Sequence, residues 1–268
     1  MAFEYKSIYF DEPIVTDRAV DIFVPGKITR EVALFFVHGG GWQAGSRAGY
    51  HKILRAFNAE GYVCATTDYR LSGVTISQQV ADVRRGYELF LSELEALGRP
   101  KKVAVYGGSA GAHLAALLAL SLPGECGEPK SEEGLSGLSG KWLRPIGAAL
   151  QATPVRFDPW EDIFPHIWRD MQKAAGDTYE NNPGLFRKLA PINHISAESP
   201  PMFFLEAENE HMFPHEYILD FLDLLRAAGG NGKSKIYTRA EHGFFYDLTR
   251  RQQKEAFADL LEFFGSLK

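Results

Sequence analysis

A chain of 268 residues that is 45% hydrophobic and 24% charged has the makings of a substantial core, as one large domain or two smaller ones, and the composition of a soluble globular protein. Its formal net charge of -5, a pI near 5.9 and the lack of any lysine- or arginine-rich run argue against nucleic acid as a partner. The two cysteines, Cys64 and Cys126, suggest neither a disulfide framework nor a thiolate metal site, and fit a reducing compartment.

The first residues, MAFEYKSIYFDEP, lack the basic segment and apolar core of a signal peptide, and no stretch approaches the roughly 18 apolar residues of a membrane span. A cytoplasmic location is therefore expected. From there, short β-rich runs alternate with longer helical patterns. Strands are predicted at YKSIYF, AVDIFVP, VALFFV ending at Val37, YVCATTDY, KVAVYG, IGAALQA, PMFFLEA and KSKIYT. Helical patterns fall near Tyr50 to Glu60, Ser77 to Leu97, Ala110 to Leu120, His215 to Ala228 and Arg251 to Phe264. Several strands are continuous apolar runs, the mark of strands covered on both faces. The alternation thus predicts an α/β fold around a mostly parallel eight-stranded sheet with helices on both faces.

Two segments break the alternation. Pro123 to Lys141, rich in Gly, Ser and Glu without periodicity, reads as a solvated loop. Phe157 opens an insertion, at about 157–190, in which Trp160, Phe164, Trp168 and Met171 have spacings that a short helix would gather on one face. Packing against the core and a lid over a pocket both account for it. No internal repeat or domain boundary is visible, so residues 1–268 are read as a single domain.

Chemistry concentrates in two glycine-rich turns. In KKVAVYGGSAGAHLAALLAL, a strand runs into Gly107-Gly108-Ser109-Ala110-Gly111 and an alanine- and leucine-rich helix begins at once. This is G-x-S-x-G between strand and helix. A nucleophilic serine on so sharp a turn needs small neighbours, and the helix N-terminus behind it favours developing anions. The second turn, FFVHGGGWQAG, places three glycines after the third predicted strand. Backbone N–H groups can meet a tetrahedral oxyanion only where no side chain obstructs them, so Gly40 and Gly41, with Ala110 after the serine, are candidate oxyanion donors. His38 is expected to hold this loop by a hydrogen bond. Neither turn carries the lysine of a P-loop or follows G-x-G-x-x-G, which argues against phosphate binding.

These residues, with DYRL at 68–71, SPPMFF at 199–204 and EHGF at 241–244, resemble the α/β-hydrolase esterase/lipase group that carries an HGGG loop. Within it the chain is similar to hormone-sensitive-lipase-like carboxylesterases, small acetyl or feruloyl esterases and kynurenine formamidases. The resemblance implies a serine hydrolase that forms an acyl-enzyme, needs no cofactor or metal and takes a small-molecule ester. An arylformamide is the alternative substrate, since the same three residues would serve. It also implies that His242, between the last strand and the last helix, is the base. His113 follows Ser109 too closely on one helix to present its ring to Oγ, and His194, His166 and His51 fit surface or packing roles.

The acid departs from the family pattern. Where the family usually carries G-x-x-D, this chain has Ala207-Glu208-Asn209-Glu210. Aligning Pro201 and Pro214 with the pattern puts Glu210 at the acid position; a shift in the loop would make it Glu208, while Glu206 is expected to point from strand to surface. A metal reading of His211 and His215 is opposed by Pro214, which interrupts a shared helix. The glycine loop starts 38 residues in, so the insertion is expected to control access to an open cleft for short acyl or aryl groups. Trp42, Phe157, Trp160 and Phe244 are candidates to line it. Catalytically lost relatives of the fold act as ligand-binding receptors, but the serine and histidine whose loss would mark one are both present. Composition leaves open whether a second copy of the chain is a partner, as a homodimer.

Overall fold

The computed structural model describes residues 5–11, 14, 18–128 and 142–268. Every predicted apolar run forms a strand: β1 (Lys6–Tyr9), β2 (Ala19–Phe23), β3 (Ala33–Val37), β4 (Cys64–Thr67), β5 (Val103–Gly108), β6 (Gly147–Gln151), β7 (Met202–Asn209) and β8 (Gly232–Glu241). They make one sheet in the order β1-β2-β4-β3-β5-β6-β7-β8. Pairing is parallel from β4 through β8, and antiparallel where β2 meets β1 and β4.

The helices are α1 (His51–Ala59), α2 (Ile76–Ala96), α3 (Ala110–Leu120), α4 (Pro165–Ala175), α5 (Pro183–Leu189), α6 (His215–Ala227) and α7 (Arg251–Ser266). Because successive strand side chains point to opposite faces, the apolar runs supply two cores at once. Phe35, Val37, Val103, Val105, Leu150 and Phe204 join α2, α3 and α6 on one face. Leu34, Phe36, Tyr106, Phe203 and Leu205 join α1 and α7 on the other.

Parallel strands also align their ends. Val37 lies opposite Gly107, Gly108 opposite Gln151, and Gln151 opposite Leu205. The first residues beyond β3, β5, β7 and β8 are His38, Ser109, Glu210 and His242, so residues far apart in the chain emerge on one edge. Loops at the carboxyl ends of such strands are where α/β sheets build their sites.

Two expectations need correction. Residues 129–141 of the predicted solvated loop lie outside the described residues, and its described start is only partly solvated, with Gly124, Glu125 and Gly127 exposed. Cys126 is fully buried, and Glu128 accepts from the Arg84 Nε at 2.8 Å with both side chains buried. A buried charge is tolerated only when paired, which explains how this polar segment enters the interior. Cys64 and Cys126 are both buried free thiols. In the insertion, Pro165 opens α4 and Gly176, at φ 83°, closes it, leaving Trp160 and Phe164 before the helix rather than on it. Met171 is buried and Trp168 packs on Tyr179 and Phe186, whereas Phe164 is exposed. Among the described residues, no helix is long and apolar enough to cross a membrane.

Candidate active site

β5 ends in Gly108, and Ser109 takes φ 55° and ψ -122° before α3 begins at Ala110. This sharp reversal works only with bare backbone beside it. A Cβ on Gly111 would lie 2.2 Å from the Val37 oxygen and 2.4 Å from that of His38. Gly111→Ala is therefore expected to cost about 1–3 kcal/mol through overpacking, read as a lower midpoint in urea with an unchanged slope.

The serine is half-buried, and its Oγ lies 2.8 Å from His242 Nε2. The opposite ring nitrogen, Nδ1, lies 2.8 Å from Glu210 Oε2 and 3.0 Å from Oε1. That carboxylate is held from behind, accepting at Oε1 from the N–H of Met212 at 2.9 Å and of Phe213 at 3.4 Å. Burial opposes ionisation of Glu210, but the His242 hydrogen bond and charge and the two backbone donors outweigh it, leaving the carboxyl below its usual range. A depressed folded pKa gives stability that is present above the ordinary carboxylate value and lost as pH falls through the folded one. Acidification below about pH 5 should therefore narrow the Tm gap between the wild type and Glu210→Gln; a gap independent of pH would contradict this.

Glu208, the alternative acid, is turned away. Pairing between β7 and β8 shifts register between Ala207 and Asn209, and the exposed Glu208 accepts the Arg239 N–H at 2.7 Å. The same irregularity brings the strand ends together, with Asn209 Nδ2 donating to Glu241 at 2.9 Å one residue before Glu210 and His242. Glu206 does not reach the surface as expected. It is buried, its carboxyl raised by that burial, with an oxygen 3.3 Å from His215 Nδ1. His215 opens α6 with Pro214 as its cap, so the helix starts after His211 and the two histidines do not share a helical face.

The glycine loop lies beside the serine turn: a Cβ on Gly39 would lie 2.5 Å from the Gly108 oxygen. Gly40 has φ 127°, and a Cβ there would come within 2.1 Å of the Ala44 oxygen, so only glycine fits. Gly40 and Gly41 are exposed, and among the described residues no backbone carbonyl takes the N–H of Gly40, Gly41 or Ala110. His38 Nδ1 donates to the Gly39 oxygen at 2.8 Å, and the Tyr69 hydroxyl donates to the His38 oxygen at 2.9 Å. The Tyr69 ring stacks on the imidazole at 4.3 Å. Burial lowers the His38 pKa, so its ring braces the loop without charge.

The four candidate cleft residues separate. Trp42 and Phe157 are buried, each packed edge-on or stacked against His113, and Phe157 also borders a cavity shared with Tyr179 and Phe186. Phe244 turns to the other face of the sheet, onto Tyr237. Trp160 alone is carried toward the site, through Phe213, whose ring is 6.0 Å from that of His242. Two neighbours take structural roles that the sequence does not assign them. His113, fully buried and with its pKa pushed down to about 4 by that burial, takes the Trp42 Nε1–H at 3.3 Å and donates to the Leu189 oxygen at 2.7 Å. It ties the glycine loop to the insertion. Gln151 is fully buried at the end of β6, and a lone amide in an otherwise apolar run was the available signal.

A mostly parallel sheet with a strained serine turn, a histidine after the last strand and an acid after the one before defines an α/β-hydrolase. The BD-FAE family model matches residues 20–223, and the chain belongs to that family of α/β-hydrolase esterases. Among curated proteins it is similar to the esterase LipQ of Mycobacterium tuberculosis, 29% identical over 88% of this chain and 56% of that protein. A second relative is a probable isoprenylcysteine alpha-carbonyl methylesterase, ICMEL1, of Arabidopsis thaliana, 24% identical over 95% of this chain and 54% of that one. The chain thus spans about half the length of the curated relatives it matches. Among solved structures, Thermogutta terrifontis esterase 2 phosphonylated by sarin superposes with a TM-score of 0.77 at 21% identity, over 100% of this chain and 97% of that one. At that identity the likeness speaks for the fold.

Proposed function

We propose that the chain is a serine carboxylesterase that cleaves esters of short acyl or aryl acids through an acyl-enzyme. The observation that carries this reading is the unbroken relay from Ser109 Oγ to His242 at 2.8 Å and on to Glu210 at 2.8 Å. The loop beside this turn leaves Gly40 and Gly41 exposed. In the first step Ser109 Oγ attacks the ester carbonyl while His242 Nε2 takes its proton, and Glu210 holds the Nδ1–H and the imidazolium that forms. The N–H groups of Gly40, Gly41 and Ala110 receive the oxyanion, a role that suits donors that no backbone carbonyl among the described residues takes. His242 then protonates the departing alcohol. Water, deprotonated by the same imidazole, releases the acid.

The esterase names of the relatives support ester chemistry, as do the structures of the Thermogutta protein with butyrate bound and with sarin attached. The insertion is proposed as a lid, with Trp160 resting on the Phe213 that flanks the histidine. A panel of acetyl, butyryl, feruloyl and N-formyl aryl substrates, compared by kcat/KM, tests the reading. Short acyl or aryl esters should lead. Preference for the N-formyl arylamide would replace the reading with an arylformamidase, and no turnover of any ester would overturn it.

A further inference from the structure

The relay joins segments that leave β5 and β8, two strands separated in the sheet by β6 and β7. Something between them must hold the serine and the imidazole at bonding distance, and Gln151 at the end of β6 touches both segments. Its backbone oxygen accepts the Ser109 N–H at 2.8 Å. With the side-chain amide turned so that both ends are satisfied, its oxygen accepts the N–H of Gly243 at 3.2 Å and of Phe244 at 2.8 Å. Its nitrogen then donates to the Tyr106 hydroxyl at 3.0 Å. Gly243 and Phe244 directly follow the histidine. One fully buried residue therefore binds the backbone of the nucleophile and the backbone just past the base.

We infer that Gln151 is a positioning residue that sets the spacing and approach angle between Ser109 and His242. The inference rests on the serine-hydrolase reading above. An amide suits the place, because its oxygen accepts two N–H donors while its other end bonds the Tyr106 hydroxyl, which can accept or donate. An apolar side chain of the same size would fill the space and leave the Gly243 and Phe244 donors without this acceptor. The histidine segment would then be free to drift by fractions of an ångström, which proton transfer to Nε2 does not tolerate.

Gln151→Met tests this at nearly constant volume. Misplacement of a reacting group by about 1 Å costs on the order of 100-fold, so kcat should fall about 10- to 100-fold with KM within a few-fold and the variant still folded. Gln151→Glu, whose two oxygens can accept from the Gly243 and Phe244 N–H groups and from the Tyr106 hydroxyl, should recover most of kcat. Should Gln151→Met not fold, Tyr106→Phe, which removes only the anchor of the amide, decides with an expected loss of about 3- to 10-fold in kcat. A kcat equal to wild type in Gln151→Met, or in Tyr106→Phe where that variant decides, overturns the inference. So does an equal loss in the Met and Glu variants. In either case Ser109→Ala would still separate from wild type, so the hydrolase reading would stand. A wild type indifferent to Ser109→Ala would remove both.

Discussion

Ser109→Ala is expected to lower kcat on p-nitrophenyl acetate by about 10⁴-fold or more, with the protein still folded. The size follows from what the residue does. Attack, proton transfer and oxyanion formation all pass through Oγ, which lies 2.8 Å from His242 Nε2, and among the described residues no other hydroxyl bonds that nitrogen. Residual turnover would come from water held near the exposed glycine N–H groups, which still stabilise an oxyanion. Alanine keeps the turn itself, because the strain at φ 55° is held by the strand before it and the helix after it. A variant retaining more than a tenth of wild-type kcat would remove this serine from the mechanism.

The second large effect separates two carboxylates only two residues apart. Glu210→Gln is expected to lower kcat by about 10³- to 10⁴-fold, whereas Glu208→Gln should stay within a few-fold of wild type. An amide at position 210 can present its NH₂ to the ring, which favours the tautomer with its proton on Nε2, the nitrogen that must accept from the serine. It also removes the negative charge that balances the imidazolium. Glu208 bonds the Arg239 N–H and is exposed, so neutralising it leaves the relay untouched. Comparable losses in the two variants would show that the loop adopts another arrangement during turnover.

The central strands were legible because they are continuous apolar runs, the pattern that parallel pairing with both faces buried requires. Ser109 and His242 were legible for a related reason. Each stands where a strand stops, one before an alanine-rich helix and one in EHGF. The acid was legible only to within a short shift, because the deciding feature is the irregular pairing of β7 with β8, a property of two strands that no local pattern contains. Glu206 was misplaced for the same kind of reason: alternation along β7 says which face it takes, but not that His215 arrives from α6 to cover it. Trp42 and Phe157 show the limit for aromatic residues. A ring in a loop has the same composition signal whether it lines a cleft or fills the space around a buried histidine, and here His113 draws both inward.

The most direct measurement is peptide mass spectrometry after incubation with a fluorophosphonate probe. A single adduct is expected on the peptide containing Ser109, slowed by His242→Ala and absent in Ser109→Ala. A protein that turns over esters yet carries the adduct elsewhere, or none at all, would contradict the account.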